Sequence, residues 1–503
     1  MSTIRKQSII SSVIVYIGIA LGVLINFIFA RWFTPDQYGL INGMFMAIGM
    51  VLSFAASLGM PNFIMKFYPY YKDNLPVQEN DMVSIAILVS LAGFIVTLVL
   101  GAVFRQQIIH FYQAKSAELV KYYWWLFPFG LGITIFSVLE PYGWHLKKSV
   151  LTSFLREVAV RVVTLLLIVL YLVGVIGSFG LFVKLYAFTF LSIAVFLGLY
   201  LLRSGELHFS FHMSRVTRKF SSKIRALALQ SWVGSVFFNL SFYLAQIIIA
   251  GLVAGGLSAV GVFTLAQLAS SLIQAPQRAV GAASIGPLSR AWKDKDLGRI
   301  GRIYHRSAIN QLVFSVGMFV LIWINYRDGI EVFHLNPVYM SGQWVFFFIG
   351  LARVADLGTG VNSQVIGTSA DWRVEVYSGI ILVALTIPLN YMLAKEIGIV
   401  GPAIADLVTF SVYNAIRWLF LFRKYKLQPF DRKSGYTILL AAGSFILCHE
   451  LFGRQHGIGW IFARTALFVL VYGGGVLLFQ LSEDVLPVWQ TIKKRVSGPG
   501  GLS

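Results

Sequence analysis

Residues 387–407 read IPLNYMLAKEIGIVGPAIADL. The stretch begins and ends apolar, and its polar middle is only two or three residues wide. Lys395 and Glu396 sit at the break, followed by Gly398, Gly401 and Pro402. A loop of a water-soluble domain would be longer and more polar. A broken core helix would not place a Lys-Glu pair at the break. A tight turn joining two membrane-crossing helices satisfies both constraints. Glycines let the backbone reverse in few residues, and a proline near the start of the following helix costs no hydrogen bond.

The whole chain has the composition that such a turn implies. Its 503 residues are 57% hydrophobic and only 12% charged, with a mean hydropathy of +0.75. Soluble domains carry about 25% charged residues. A soluble chain this apolar would expose large aggregating patches. Counting apolar segments of about 20 residues gives spans at 8–30, 39–65, 82–104, 119–144, 152–176 and 180–202. A second set lies at 226–252, 258–286, 303–325, 341–367, 374–395 and 398–422, and two more at 436–452 and 460–481. The expected fold class is therefore all-α: a polytopic integral membrane protein of about fourteen helices. The first span is followed by FARWFTP, with no small-residue cleavage site, and reads as a retained helix.

The net charge of +20 would suggest nucleic acid in a soluble protein. Its distribution points elsewhere. With the N-terminus placed inside, and Lys121, Arg156, Arg306 and Lys395 near span ends counted with the adjoining loop, 28 of the 41 Lys and Arg fall on the inside and 7 on the outside. This bias places both termini in the cytoplasm. The basic loops face anionic lipid head groups, so membrane lipids are expected partners and nucleic acid is not. The single cysteine, Cys448, rules out an internal disulfide or a thiolate cluster. His208 and His212 are four apart, but they lie in a basic juxtamembrane segment, and no metal site is expected. No cofactor and no catalytic group are expected: there is no phosphate-binding glycine loop, and the outside loops are too short to carry an acid-base constellation.

Turns repeat along the chain. Ile176, Gly177 and Gly180 align with Ile397, Gly398 and Gly401 at an offset of 221, and Gly39 aligns with Gly261 at 222. The expected organisation is two copies of a six-helix unit, at 1–203 and 226–425. A basic linker at 204–225 joins them, and 426–503 adds helices thirteen and fourteen with a tail. Transporters commonly place the substrate route between two such halves.

Three stretches carry a family resemblance: FARWFTPDQYGLINGM after the first span, SLGMPNFIMKFYP at the end of the second, and IPLNYMLAKEIGIVGPAIAD across spans eleven and twelve. Together with the layout, these resemble the bacterial oligosaccharide-lipid flippases. Those proteins form the polysaccharide-biosynthesis branch of the multidrug/oligosaccharidyl-lipid/polysaccharide exporter superfamily. Where relatives read GAAIA, this chain has GPAIA. The resemblance implies a cation-lined cavity in the bacterial cytoplasmic membrane that moves a polyprenyl-diphosphate-linked oligosaccharide outward. It also implies polysaccharide polymerase and glycosyltransferases as working partners.

Ionisable groups at membrane depth are costly and face a cavity or a partner. Arg353 is nearly central in span ten. Arg161 and Arg278 lie about nine residues from the inner end of theirs, roughly 13 Å deep. Guanidinium groups match phosphate oxygens in a fork, so the expected headgroup-binding residues are Arg353, Arg278, Arg161 and Lys184. Lys184, Arg417 and Arg464 lie near span ends, where snorkelling explains a charge. Candidates for ion coupling are Asp356, Asp406 and Glu140. Arg353 and Asp356 are three apart, a spacing that lets them pair on one helix face. A multidrug antiporter would want acids in spans one, two, seven and eight, which have none. A lipid II flippase would differ only in cargo.

Overall fold

The computed structural model describes residues 3–210, 212–482 and 484. These residues form helices and connecting segments, with no β-strand among them. Thirteen helical segments among the described residues are long and apolar enough to cross a bilayer, from Val13–Trp32 to Ile458–Leu478. The span expected at 152–176 is also helical, as the run Ser149–Phe154, Leu155–Ala159 and Val160–Leu172. It is less apolar because Arg156, Glu157 and Arg161 lie in it. Its middle section, Leu155–Ala159, widens into a π-helix, a local feature that often marks functional positions. The C-terminal basic residues counted in the charge map, Lys493, Lys494 and Arg495, lie outside the described residues.

The chain packs as two compact units, one ending at Gly261 and the other beginning at Val262. In the first, Met46–Ser57 packs against Met82–Val103, Leu126–His145 and the long helix Arg215–Leu252. In the second, Val400–Tyr425 packs against Arg373–Ile397 and Gly342–Gly358, and Leu297–Val332 packs against Gly342–Gly358 and Arg432–Phe452.

Three spans expected to be continuous are broken. In the second, Leu58 (φ 47°) and Gly59 (φ 76°) separate Met46–Ser57 from Met60–Asn74. A Cβ on Gly59 would lie 2.2 Å from the Ala228 carbonyl oxygen, so close packing as well as φ demands glycine there. In the eighth, a short 3-10 turn, Leu272–Gln274, precedes the helix Gln277–Lys293. In the tenth, Gly342–Gly358 ends and Asn362–Gly367 resumes after Gly360 at φ 65°. Discontinuous helices leave backbone polar groups free to line a site. His208 and His212 fall in a non-helical segment, so the helix-face spacing that would pair them does not arise.

The turn that opened the sequence reading is two residues long, between Arg373–Ile397 and Val400–Tyr425. Gly398 adopts φ 71°, ψ −139°. Gly401 is pressed against the preceding helix: an added Cβ would lie 2.0 Å from the Leu393 carbonyl oxygen. Gly401→Ala is therefore expected to force the two helices apart and cost about 1–3 kcal/mol, the usual range for overpacking. A lowered melting temperature of the purified protein checks this; an unchanged one contradicts the close contact.

Of the turn glycines aligned by sequence, one pair matches in position and another does not match in conformation. Gly180 and Gly401 are each the second residue of their helices, Phe179–Tyr186 and Val400–Tyr425. Gly177 and Gly398 do not correspond in conformation, because the positive φ of the earlier turn belongs to Gly174 (φ 82°). Gly39 and Gly261, aligned by sequence, lie against one another. A Cβ on Gly39 would sit 1.9 Å from the Leu257 oxygen and 2.7 Å from the Gly261 nitrogen, and one on Gly261 would sit 2.5 Å from the Pro35 oxygen.

Candidate functional site

The first unit holds a chain of four charges. Arg156, on the π-helical section, meets Glu140 of Leu126–His145 at 2.9 Å and Glu157 at 3.1 Å. Arg161 reaches back one turn to Glu157 at 2.8 Å. Two acids and two bases cancel, so Glu140 and Arg161 are brought into one neutral network that passes through Arg156 and Glu157. The Arg161 guanidinium lies over Gly18 and Gly22 of Thr3–Trp32, where any side chain would collide with it or press against it. Lys184 is elsewhere: it is exposed, with its ammonium 5.7 Å from the centre of the Trp125 ring.

The second unit contains three buried arginines among the described residues: Arg353, Arg417 and Arg464. Their partners differ. Arg417 pairs with Glu375, donates a hydrogen bond to the Tyr413 hydroxyl and lies 3.7 Å above the Tyr413 ring. Arg464 pairs with Asp328, which is itself buried and accepts a second contact from His456 at 2.8 Å. Both positions correct the snorkelling expectation: each guanidinium turns inward to a carboxylate, the partly exposed Glu375 for Arg417 and the buried Asp328 for Arg464. The Asp328 carboxylate also lies with Glu331 and His456 in a cluster whose ligand atoms are within 4.8 Å of one another, but Arg464 already neutralises it.

Arg353 is only 5% exposed. Its guanidinium lies over the Phe410 ring at 4.9 Å. Among the described residues it makes no hydrogen bond and no ion pair. The pairing with Asp356 allowed by their spacing does not form. Asp356 instead accepts from Gln277 Nε2 at 2.8 Å and from Asn414 Nδ2 at 2.9 Å. Those two amides satisfy its oxygens, and the break in span ten turns the following residues toward the same network. Thr359 and Asn362 both donate to Asn414 Oδ1, at 3.0 and 2.9 Å. Asp406, one turn before Phe410, lies within electrostatic range of Arg353. Arg278 is exposed and directly follows Gln277.

The result is a hydrogen-bonded polar cluster at the break of span ten, made of Asp356, Gln277, Thr359, Asn362 and Asn414, with Arg353 one turn before Asp356 on the same helix and outside these bonds. Arg353 and Asp356 were both candidates from the sequence. Gln277 and Asn414 were missed. One signal for Asn414 was available, since it lies one turn from Arg417 in the otherwise apolar helix Val400–Tyr425. Arg353 supplies a desolvated cation whose donors no protein carboxylate occupies, a group suited to forked contact with a phosphate-like anion.

A helical chain with this many membrane-length apolar segments is a multi-pass membrane protein. The family model described as Polysaccharide biosynthesis protein matches residues 4–287, more than half of the chain, and the chain belongs to that family. Its fold is similar to that of the lipid II flippase MurJ in an inward closed conformation. The TM-score is 0.73 at 14% identity, covering 95% of this chain and 100% of that one. It is also similar to an inward-facing multidrug resistance MATE family transporter of the MOP superfamily (TM-score 0.64, 15% identity, 81% of this chain and 94% of that one). An outward-facing structure of such a transporter gives a TM-score of 0.51 at 15% identity, over 84% of this chain and 96% of that one. No curated protein matches the sequence.

Proposed function

We propose that this chain is a flippase carrying a polyprenyl-diphosphate-linked oligosaccharide from the inner to the outer leaflet of the bacterial cytoplasmic membrane, for polysaccharide assembly. It makes and breaks no covalent bond. The observation that carries this reading is Arg353. A buried arginine without a carboxylate partner is costly, and the cost is reasonable only where an anion binds. A diphosphate supplies that anion, and its charge is forked onto the guanidinium. Asn362, Gln277 and Asn414 supply amide groups of the kind that meet sugar hydroxyls. Arg278 is the second headgroup candidate. Arg161 and Lys184 are weaker ones, since Arg161 is paired and Lys184 lies exposed over a ring. Asp356, Asp406 and Glu140 remain the candidates for ion coupling. If coupling uses them, the combined neutral variant loses any dependence of transport on an ion gradient; full retention of that dependence sinks carboxylate coupling.

A second cargo, lipid II, is favoured by the fold likeness to a lipid II flippase over nearly the whole chain. Both cargoes present a diphosphate to the same cation. They are separated by testing the two lipids side by side for binding to the purified protein. An oligosaccharide-lipid preference supports the reading above, and a lipid II preference replaces it.

Both termini and the basic loops are expected to face the cytoplasm. Reporter fusions after Lys72, Arg225 and Lys433 should read internal, and fusions near Lys115 and Arg327 external. An external signal at Arg225 would overturn this orientation.

A further inference from the structure

The first unit contains a cavity of about 380 Å³ that the transport reading does not use. Its walls are apolar. Leu52, Tyr112, Phe127 and Ile247 line it. Leu100 and Phe104 line it as well, and each is about half exposed on the outer surface of Met82–Val103 and just beyond it. The three hydroxyl-bearing side chains in the wall are already committed: Tyr123 donates to the Gly101 carbonyl at 2.8 Å, Thr97 to the Phe94 carbonyl at 2.8 Å and Tyr112 to the Ile247 carbonyl at 3.2 Å. An apolar cavity of this kind does not hold water and takes apolar ligands. In a protein surrounded by lipid, the mouth at Leu100 and Phe104 faces hydrocarbon.

The segment that follows the mouth is basic. Residues 105–121 hold Arg105, Lys115 and Lys121 against one acid, Glu118. Arg105 and Lys121 are exposed, and each lies over an aromatic ring of the adjoining segment, Trp124 at 5.9 Å and Tyr122 at 5.2 Å. Exposed Trp beside basic residues is the side-chain set of a membrane-water interface. The geometry points to a lipid site: one acyl chain of an anionic membrane phospholipid enters the cavity past Leu100 and Phe104, with its phosphate held by Arg105 and Lys121.

This site would also act on the protein. The same segment fastens to Arg215–Leu252, because Tyr112 donates to the Ile247 carbonyl at 3.2 Å and Ser116 to the Ala250 carbonyl at 2.6 Å. Tyr112 and Ile247 both touch the cavity, so a chain inside it packs against this fastening and strengthens it.

The test uses the full chain in nanodiscs with phosphatidylglycerol bearing a photo-activated group in its acyl chain, and phosphatidylcholine labelled the same way. Labelling of peptides covering residues 97–127 is expected to exceed that of the other lipid-facing helices for phosphatidylglycerol. Leu100→Trp, which blocks the mouth, should reduce it to the level of those helices. Arg105→Glu with Lys121→Glu, both on the surface, should remove the preference over phosphatidylcholine without altering the fold. Uniform labelling, or labelling unchanged by Leu100→Trp, would overturn the cavity. An equal signal from the two lipids in the unaltered protein would overturn the anionic headgroup. A labelled polyprenyl phosphate displacing phosphatidylglycerol would overturn the choice of occupant.

Discussion

Arg353→Met is expected to abolish transport and, at the same time, to raise the melting temperature of the protein. The two effects follow from one observation: the guanidinium is buried and, among the described residues, no carboxylate bonds to it directly. Removing it takes away a cation over the Phe410 ring, worth about 0.5–2 kcal/mol. It also removes the larger penalty of holding an unpaired charge out of water. Stability traded for binding is a common feature of functional sites. A forked contact to a diphosphate comprises two charge-assisted hydrogen bonds of about 1.5–3 kcal/mol each. Their loss corresponds to roughly 10²–10⁴-fold in affinity. Arg353→Lys keeps the charge and loses the fork, so it should fall between. Because Asp356 is held by Gln277 and Asn414 and not by Arg353, the single substitution leaves Asp356 satisfied, and only Asp406 loses a nearby cation. A destabilised Arg353→Met protein would mean that the residue is structural.

Asp328→Ala is expected to do the reverse. It leaves Arg464 buried with no counter-charge, a loss of about 3–5 kcal/mol, visible as a large drop in melting temperature or in folded yield. The effect should be asymmetric. Arg464→Met leaves Asp328 with His456 at 2.8 Å, and a carboxyl can also take a proton, whereas a guanidinium stays charged. Arg464→Met should therefore cost less than Asp328→Ala. Replacing both, with Asp328→Leu and Arg464→Met, should recover most of the stability. If Asp328→Ala melts with the unaltered protein, the pair is not a structural tie.

These contrasts show what could be read in the sequence. The spans were legible because about 20 apolar residues are needed per crossing, and the turn at 398–399 was legible because few residue types reverse a helix so tightly. Arg353 stood out because depth along a helix is set by residue count alone. The partners of the other arginines were not legible. Arg417 and Glu375 lie on different helices, as do Arg464 and Asp328, and which faces meet is decided by packing. A spacing of three made Arg353 and Asp356 a plausible pair, but two amides from neighbouring helices satisfied Asp356 first. The breaks at Gly59 and Gly360 were hidden in a similar way: a glycine in an apolar run reads as a packing residue until its φ is known.

The central claim is that the chain translocates a polyprenyl-diphosphate-linked oligosaccharide. It is tested most directly with purified protein in liposomes containing a fluorescent lipid of that class, by following how much becomes accessible to an impermeant quencher. The account predicts accelerated exchange between leaflets for the unaltered protein and the rate of protein-free liposomes for Arg353→Met. Exchange no faster than in protein-free liposomes, or equal exchange by Arg353→Met, would contradict it.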